Sequence, residues 1–359
     1  MKILVAIMPY AYGVNDQAFS TDYFNYYLGL KELADEVVLF DYYKLHRKHG
    51  KIKMNEYLLS QVKELSPDFL FVILHTDEFI PRVMDEIKKI TISLGFFHDD
   101  IWRQDYAKFW SRYFSYVLST DPDGEKKFRA MGITNVLSFP QACNQNVYTY
   151  MQRAKEYEVT FVGGYHPHRS WLVNHLRRCG IDVKVFGAGW SRDKFIPSLI
   201  YKVTNRLHRA RLSINQICEV LPSQEEMIEI FNRSKINLNL SNATNWDARY
   251  LSSSPLALIN TFRSNKYRDG IKLRLFEISA CRGFQLSYYE EGLEKYFKIG
   301  EEIAIFLNPD NLADKVKYYL KHDKERELIA RSGYERTLRE HTVTKRFQNI
   351  FERCKINKN

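Results

Sequence analysis

The chain has 359 residues, of which 45% are hydrophobic and 27% charged, a composition that excludes a disordered or fibrous protein and suits two ordinary globular domains. No run approaches the roughly 18 apolar residues that a membrane-spanning helix needs. The formal net charge of +10 attracts phosphorylated substrates, anionic lipids or nucleic acid, but the basic residues form no single block and no RRM, KH or zinc-finger pattern is present.

The first half of the chain alternates between strand and helix. Short apolar runs typical of buried parallel strands are followed by helical patterns, for example over 54–64 and 79–89. This alternation predicts a parallel sheet with helices on both faces. The predicted strands cover residues 2–8, 36–42, 68–74, 91–97, 116–121 and 135–140.

A second alternating set begins near residue 157. Ser223 and Glu226 predict a capping box at the start of a helix, and the polar stretch 242–268 predicts an irregular segment. The predicted strands are 157–164, 182–190, 235–241, 284–289 and 303–308, and the predicted helices are 168–179, 223–234, 271–282, 310–321, 323–340 and 344–355. Two α/β halves joined near 145–156 predict a cleft suited to a substrate with two parts, because ligands of open α/β sheets sit at the carboxyl ends of strands.

Cysteine usage and the N-terminus indicate the compartment. Five cysteines are scattered without a CxxC pair, which favours a reducing cytoplasm with neither disulfides nor a zinc site. The opening MKILVAIMPYAYG turns polar too soon for a signal peptide and predicts a first strand.

The densest basic stretch, 191–216, interleaves apolar and basic residues. It is typical either of a helix on the anionic inner face of a membrane or of a solvated surface insertion.

The stretch GIKLRLFEISACRG (270–283) places Lys272, Arg274 and Glu277 among apolar residues. Asp269 and Gly270 before it let the chain approach a ligand closely, and backbone N–H groups at a helix start attract phosphate. The alternative is a surface Arg274–Glu277 pair worth roughly 0.2–0.5 kcal/mol.

Two glycine motifs follow strands of the second half. In FVGGYHPHR (161–169), Gly163 and Gly164 permit a tight turn, and Arg169 stands at a helix start, where a cation is unfavourable for the helix dipole. FGAGW (186–190), which contains Gly187, lacks the full GxGxxG pattern and is equally consistent with a simple strand-ending turn.

FFHDD (96–100) ends a strand of the first half with His98, Asp99 and Asp100. A histidine can move protons near neutral pH, and a neighbouring carboxylate could orient it or activate an acceptor hydroxyl. The alternative is that the two aspartates cap the next helix.

The pieces VTFVGGYHPHRSWLVNHLRRCGIDVKVFGAGW, MIEIFNRSKINLNLS and KLRLFEISACRGFQLSYYEEGLEKYF, with the chain that follows to residue 352, resemble the CgeB-like, spore-maturation type glycosyltransferases. These are relatives of the group 1, or family 4, enzymes. The first half matches more loosely, through LGFFHDD and YVLSTDPDGEKKFRAMG. The resemblance implies the GT-B fold, in which two Rossmann-like domains with parallel sheets face a central cleft.

By this resemblance, residues 1–150 form the acceptor domain and 151–340 the nucleotide-sugar donor domain. The terminal helix, 341–359, crosses back to the first domain, and neither metal nor cofactor is required. The implied catalytic residues are His98, Asp99, Asp100, Arg169 and Lys272. The implied donor-binding residues are Gly13, Gly163, Gly164, Arg169, Gly187, Leu221, Asp269, Gly270, Lys272, Arg274 and Glu277.

Within that set, Glu277 matches the carboxylate that accepts hydrogen bonds from the ribose hydroxyls. Arg169, Lys272 and Arg274 match cations that stabilise the departing diphosphate. Asp269 departs from the family, which often carries Glu at this position.

The sequence therefore predicts a metal-independent, retaining glycosyltransferase that uses a UDP-sugar, with GDP as the competing nucleotide, and a glycan, lipid-linked or protein acceptor. Three alternatives stay open. They are a non-catalytic surface or spore-assembly protein on the same fold, a sugar-nucleotide epimerase, and a nucleic-acid-binding protein recognised by steep salt dependence.

Overall fold

The computed structural model describes residues 1–11, 18–98, 100–190, 222–241, 243, 247–263 and 270–356. Four of the predicted site residues lie outside the described residues, and so does the basic stretch 191–216. These four are Gly13, Asp99, Leu221 and Asp269.

The chain folds into two compact units. The first unit comprises Met1–Val147 together with Glu340–Asn359, and the second unit comprises Tyr148–Arg339. The chain therefore leaves the first unit once, builds the second, and returns.

The first unit is built on a six-stranded sheet in which every strand pair is parallel. The strands are β1 Lys2–Ile7, β2 Glu36–Asp41, β3 Phe69–Ile73, β4 Ile92–Phe97, β5 Tyr116–Ser119 and β6 Val136–Ser138, and their order in the sheet is β2-β1-β3-β4-β5-β6. Every residue of β3 and every residue of β1 after Lys2 is apolar and buried, as expected when helices cover both faces.

Helices of the first unit pack on both faces of this sheet. The longest carries Gly50 at φ 82°, where it kinks. The helix Val343–Cys354 packs against one face, where Phe347 and Phe351 contact Phe69 and Phe71. The helices are Leu28–Lys31, preceded by one π-helical turn at Tyr23–Tyr27, then Tyr42–Leu65, Pro81–Ile90, Gln104–Ser111, Gly124–Ala130 and Val343–Cys354.

The second unit is built on a five-stranded sheet, again with every pair parallel. The strands are β7 Tyr157–Val162, β8 Val183–Phe186, β9 Ser234–Asn239, β10 Gln285–Tyr288 and β11 Ala304–Phe306, and their order in the sheet is β11-β10-β9-β7-β8. The described helices of this unit are Pro167–Arg178, Gln224–Arg233, Ala248–Ser253, Pro255–Arg263, Leu273–Ala280, Pro309–Lys321 and Asp323–Glu340. The prediction of two parallel α/β sheets is confirmed.

Local signals explain where several helices begin. The predicted capping box is present, since Ser223 accepts from the Glu226 amide and Glu226 accepts from the Ser223 amide. The prediction of an irregular segment over 242–268 is wrong for its middle part, which forms two helices. There the Asp247 carboxylate caps the first helix, and Pro255 opens the second.

Candidate functional site

The loops after β7 and β8 are joined at the carboxyl end of the second sheet. The Gly163 amide donates to the Phe186 carbonyl and the Tyr165 amide donates to the Ala188 carbonyl, each at 2.8 Å. The indole N–H of Trp190 donates to the Gly163 carbonyl, also at 2.8 Å. These bonds fix the backbone of both loops at the position where ligands of open α/β sheets bind.

Gly187 is required by this junction. Its φ is +147°, and a Cβ at this position would lie 2.2 Å from the Gly163 carbonyl oxygen. A Cβ on Gly164, in contrast, would meet no atom within 4 Å. The two sequence-predicted glycines thus differ, since Gly187 allows one backbone to touch another and Gly164 leaves open space beside the turn.

Arg169 lies in the first turn of the helix Pro167–Arg178 and reaches across the same strand ends. Its Nη1 donates to the Gly164 carbonyl at 3.0 Å and its Nε to the Leu240 carbonyl at 3.1 Å. The guanidinium carbon lies 5.3 Å from the centre of the Phe161 ring. These contacts orient the cation at the carboxyl ends of β7 and β9.

The helix Leu273–Ala280 brings a second cation to this place. Lys272 occupies the N-cap position, with extended backbone and a half-buried side chain, so the helix starts two residues later than predicted. The Nη1 of Arg274 donates to the Val162 carbonyl at 2.8 Å, and its Nε lies 3.0 Å from Oε2 of Glu277. The side chain of Glu277 is 1% exposed and that of Arg274 is 24% exposed, so this pair is largely buried and is not the surface pair of the alternative interpretation.

Tyr148 completes this cluster and was not predicted. Its hydroxyl donates to Oε1 of Glu277 at 2.5 Å, across 129 residues of sequence. Burial, followed by the negative charge of Glu277, raises the pKa of the Tyr148 phenol well above its usual value. The phenol therefore stays protonated and acts as a neutral donor to the carboxylate.

The charges of the cluster are unfavourable for the helices that carry them. Arg169 stands in the first turn of one helix, and Lys272 and Arg274 stand at the start of another. Cations at helix N-termini oppose the helix dipole, typically by about 0.3–1 kcal/mol each. A bound anion would reverse this penalty, since it would be attracted both by the cations and by the helix N-termini.

A separate polar network lies in the first unit, at the end of β4. Nε2 of His98 lies 2.8 Å from Oδ1 of Asp22, and the Gln141 amide lies 3.0 Å from Nδ1. The Tyr26 hydroxyl donates to the Gln141 carbonyl oxygen at 2.6 Å, which orients this amide with its N–H toward the imidazole. Both ring nitrogens of His98 therefore bond to protein groups, and Asp22 and Gln141 join the list of functional candidates.

Asp100, the other described candidate of FFHDD, is hydrogen-bonded to neighbouring residues of the first unit. Its side chain is buried and accepts hydrogen bonds from the hydroxyls of Ser119 and Thr120, the second at 2.6 Å. Burial raises the pKa of its carboxyl group, and the two hydroxyl hydrogen bonds partly offset that effect. This carboxylate ties the loop after β4 to the end of β5.

The described residues also bear on metal binding, membrane insertion and disulfide formation. In those ranges no three His, Cys, Asp or Glu side chains are grouped so that they could hold a metal ion. Within the same ranges, no helix has the length and apolar character needed to cross a membrane. The described cysteines are free thiols, namely Cys143, Cys179, Cys281 and Cys354.

Comparison with known proteins identifies the family. The model of the glycosyl transferase-like family matches residues 169–352, just over half of the chain. The chain belongs to this family. The matched region runs from Arg169 through the cluster around Glu277 to the terminal helix. Family membership confirms the predicted resemblance to glycosyltransferases.

One curated relative is the spore protein CgeB of Bacillus subtilis, which is 21% identical over 224 residues. That alignment covers 62% of this chain and 62% of the relative, so the chain matches less than two thirds of the relative's length. The similarity agrees with the CgeB-like resemblance of the motifs.

Solved structures agree in fold. HepE of Anabaena, in complex with UDP, has a TM-score of 0.61 at 12% identity, covering 99% of this chain and all of that one. A glycosyltransferase of Rickettsia africae has a TM-score of 0.60 at 10% identity, covering 100% and 99% of the two chains. Together with the two parallel sheets, these similarities confirm the predicted GT-B fold.

Proposed function

We propose that this protein transfers a sugar from a UDP-sugar to a glycan, lipid-linked or protein acceptor, with retention of configuration and without a metal. The second unit binds the donor, and the first unit binds the acceptor. The observation that carries this proposal is the meeting of Arg169, Arg274 and Glu277 at the carboxyl end of the second sheet.

The cations would act on the departing diphosphate. When the bond between the anomeric carbon and the diphosphate oxygen breaks, negative charge grows on that oxygen. Preorganised cations at that place stabilise the transition state more than the ground state. Arg169 and Arg274 are held by backbone carbonyls, so little reorganisation is needed when charge develops, and Lys272 is the third candidate cation.

Glu277 is proposed to accept hydrogen bonds from the ribose hydroxyls. A carboxylate offers acceptor positions on both oxygens, and the hydroxyls of a ribose are suitable donors. Because the side chain of Glu277 is 1% exposed, this contact requires the groups that cover the carboxylate to move aside when the nucleotide binds. Gly163, Gly164 and Gly187 would form the backbone surface beside the diphosphate.

We favour UDP as the nucleotide because a protein of similar fold was crystallised with it. HepE of Anabaena was crystallised with UDP, with UDP and glucose, and with UDP-glucose. The choice among acceptors is open, and His98, with Asp22 and Gln141 around it, is the proposed acceptor-side group.

Isothermal titration with UDP, GDP, ADP and CMP tests the donor site. UDP is expected to bind wild type, and Arg169→Ala is expected to weaken that binding at least tenfold, because a cation facing the diphosphate is removed. Arg178→Ala is the matched control, since Arg178 is exposed at the opposite end of the same helix, roughly 14 Å away at 1.5 Å per residue.

Equal weakening by both arginine variants would contradict the assignment of Arg169, and failure of every nucleotide to bind would refute the proposed function. Release of UDP from a UDP-sugar in the presence of EDTA then tests turnover without metal. Accumulation of an epimerised UDP-sugar without any acceptor would identify an epimerase instead.

A further inference from the structure

Tyr148 is the first residue of the second unit, and its ring is fully buried. Its hydroxyl lies on Oε1 of Glu277, while the guanidinium of Arg274 lies on Oε2. In the described part of the chain, these two groups are the polar contacts of the Glu277 carboxylate. The carboxylate is therefore held from both oxygens by groups that come from opposite directions along the sequence.

This arrangement fixes the orientation of a buried charge. A carboxylate has about four lone-pair positions, so one contact on each oxygen leaves one position on each for further donors. The vicinal hydroxyls of a ribose present two donors side by side. A hydrogen bond from a neutral phenol orients the carboxylate without cancelling its charge, whereas a second cation would do both.

We propose that Tyr148 is a positioning residue of the donor site, whose hydroxyl holds the Glu277 carboxylate in the orientation that receives the ribose hydroxyls. This inference rests on the proposed function. Tyr148 lies outside the region that the family model matches. Its hydroxyl would orient Glu277 and would not contact the substrate itself.

The test compares the affinities of two proteins for two ligands. The affinities of wild type and of Tyr148→Phe are measured for UDP and for 2′-deoxy-UDP by titration calorimetry. Wild type is expected to prefer UDP by about tenfold, the value of one hydrogen bond to a charged group. Tyr148→Phe is expected to lose most of that preference, with weaker UDP binding and little further loss for 2′-deoxy-UDP. A structural role for the phenol would weaken both ligands equally and leave the preference intact.

Two further proteins, a control variant and a fluorinated protein, are measured with the same two ligands. Tyr42→Phe is the matched control, because Tyr42 is also buried but donates to the Ile73 carbonyl in the first unit, and it is expected to leave both affinities unchanged. Site-specific 3-fluorotyrosine at position 148 keeps the ring and makes the phenol a stronger donor. It is expected to change the ratio of UDP to 2′-deoxy-UDP affinity even if Tyr148→Phe does not fold.

The outcomes separate the two proposals. Wild type that binds no nucleotide refutes the proposed function and this inference together. Wild type that prefers UDP, with a preference unchanged in Tyr148→Phe or in the fluorinated protein, refutes this inference alone. Two other results also overturn it, namely tighter UDP binding by Tyr148→Phe, which would mean that the hydroxyl competes with ribose, and equal binding of the two ligands by wild type.

Discussion

Gly29 faces Val343 so closely that a Cβ on Gly29 would lie 2.7 Å from Cγ1 of that valine. This contact joins the helix Leu28–Lys31 to the terminal helix of the first unit. Gly29→Ala is therefore expected to destabilise the first unit by about 1–3 kcal/mol through overpacking. Val343→Ala should relieve the clash. The double variant is therefore expected to lose less stability than the sum of the losses in the two single variants. Urea denaturation of the four proteins measures this coupling, and strict additivity would contradict it.

Two glycines in the loops after β7 and β8 give a second prediction. Gly187→Ala is expected to destabilise the second unit by at least about 2 kcal/mol, because its φ of +147° is strained for alanine and the new Cβ would strike the Gly163 carbonyl. Gly164→Ala is the control, since its Cβ would meet open space, and a change within about 0.5 kcal/mol is expected. Chemical denaturation measures the stability of both variants, and similar losses in the two would count against the close contact between Gly187 and the Gly163 carbonyl.

The pair formed by Glu125 and Arg353 predicts a pH dependence. Two guanidinium N–H groups of Arg353 donate to the Glu125 carboxylate at 2.6 and 3.0 Å, and these hydrogen bonds lower the pKa of Glu125. A carboxyl group with a lowered pKa stabilises the fold above its unfolded pKa of about 4.3 and loses that effect as pH falls through the folded value.

Arg353→Gln is accordingly expected to cost about 1 kcal/mol near pH 7, a modest value because both side chains are partly exposed. The difference from wild type should shrink as pH falls from about 4.3, the unfolded pKa, through the lowered folded pKa of Glu125, because protonation of the carboxylate removes the ion pair. Urea denaturation between pH 3.5 and 7.5 tests this, with Lys48→Gln at an exposed site of the first unit as control. A difference that stayed constant with pH would show that the pair does not titrate as described.

The environment of His98 predicts its tautomer. Asp22 can only accept at Nε2, whereas the Gln141 amide donates to Nδ1, so neutral His98 is expected to carry its proton on Nε2. Nitrogen-15 chemical shifts of the imidazole report this directly. Asp22→Asn is expected to weaken that preference, and a dominant Nδ1–H form in wild type would contradict the network.

The sequence patterns predicted strands better than helices. Every predicted strand of the described regions coincides with an observed strand, because buried parallel strands are continuous apolar runs such as Phe69–Ile73. The helix Tyr42–Leu65 was predicted only over 54–64, since its first half is polar and carries Gly50. The helices within 247–263 were also missed, because the polar composition of this stretch predicted an irregular segment. The better signals were the residues at the helix starts, Asp247 and Pro255.

The candidate site was predictable only in part. Arg274 and Glu277 stand three residues apart on one helix, so a local pattern reveals them. Tyr148 contacts Glu277 across 129 residues, and Asp22 contacts His98 across 76. No periodicity connects such pairs, because they are brought together by the order of strands in the sheet and by the path of the chain between elements.

The return of the chain to the first unit affects the order in which the protein can fold during synthesis. The helix Val343–Cys354 covers Phe69 and Phe71 on one face of the first sheet, yet it leaves the ribosome only after the whole of the second unit. That aromatic face therefore stays uncovered while the second unit, which is contiguous in sequence, can complete its own core. Synthesis of the second unit is thus the period in which a chaperone could bind the uncovered face of the first sheet.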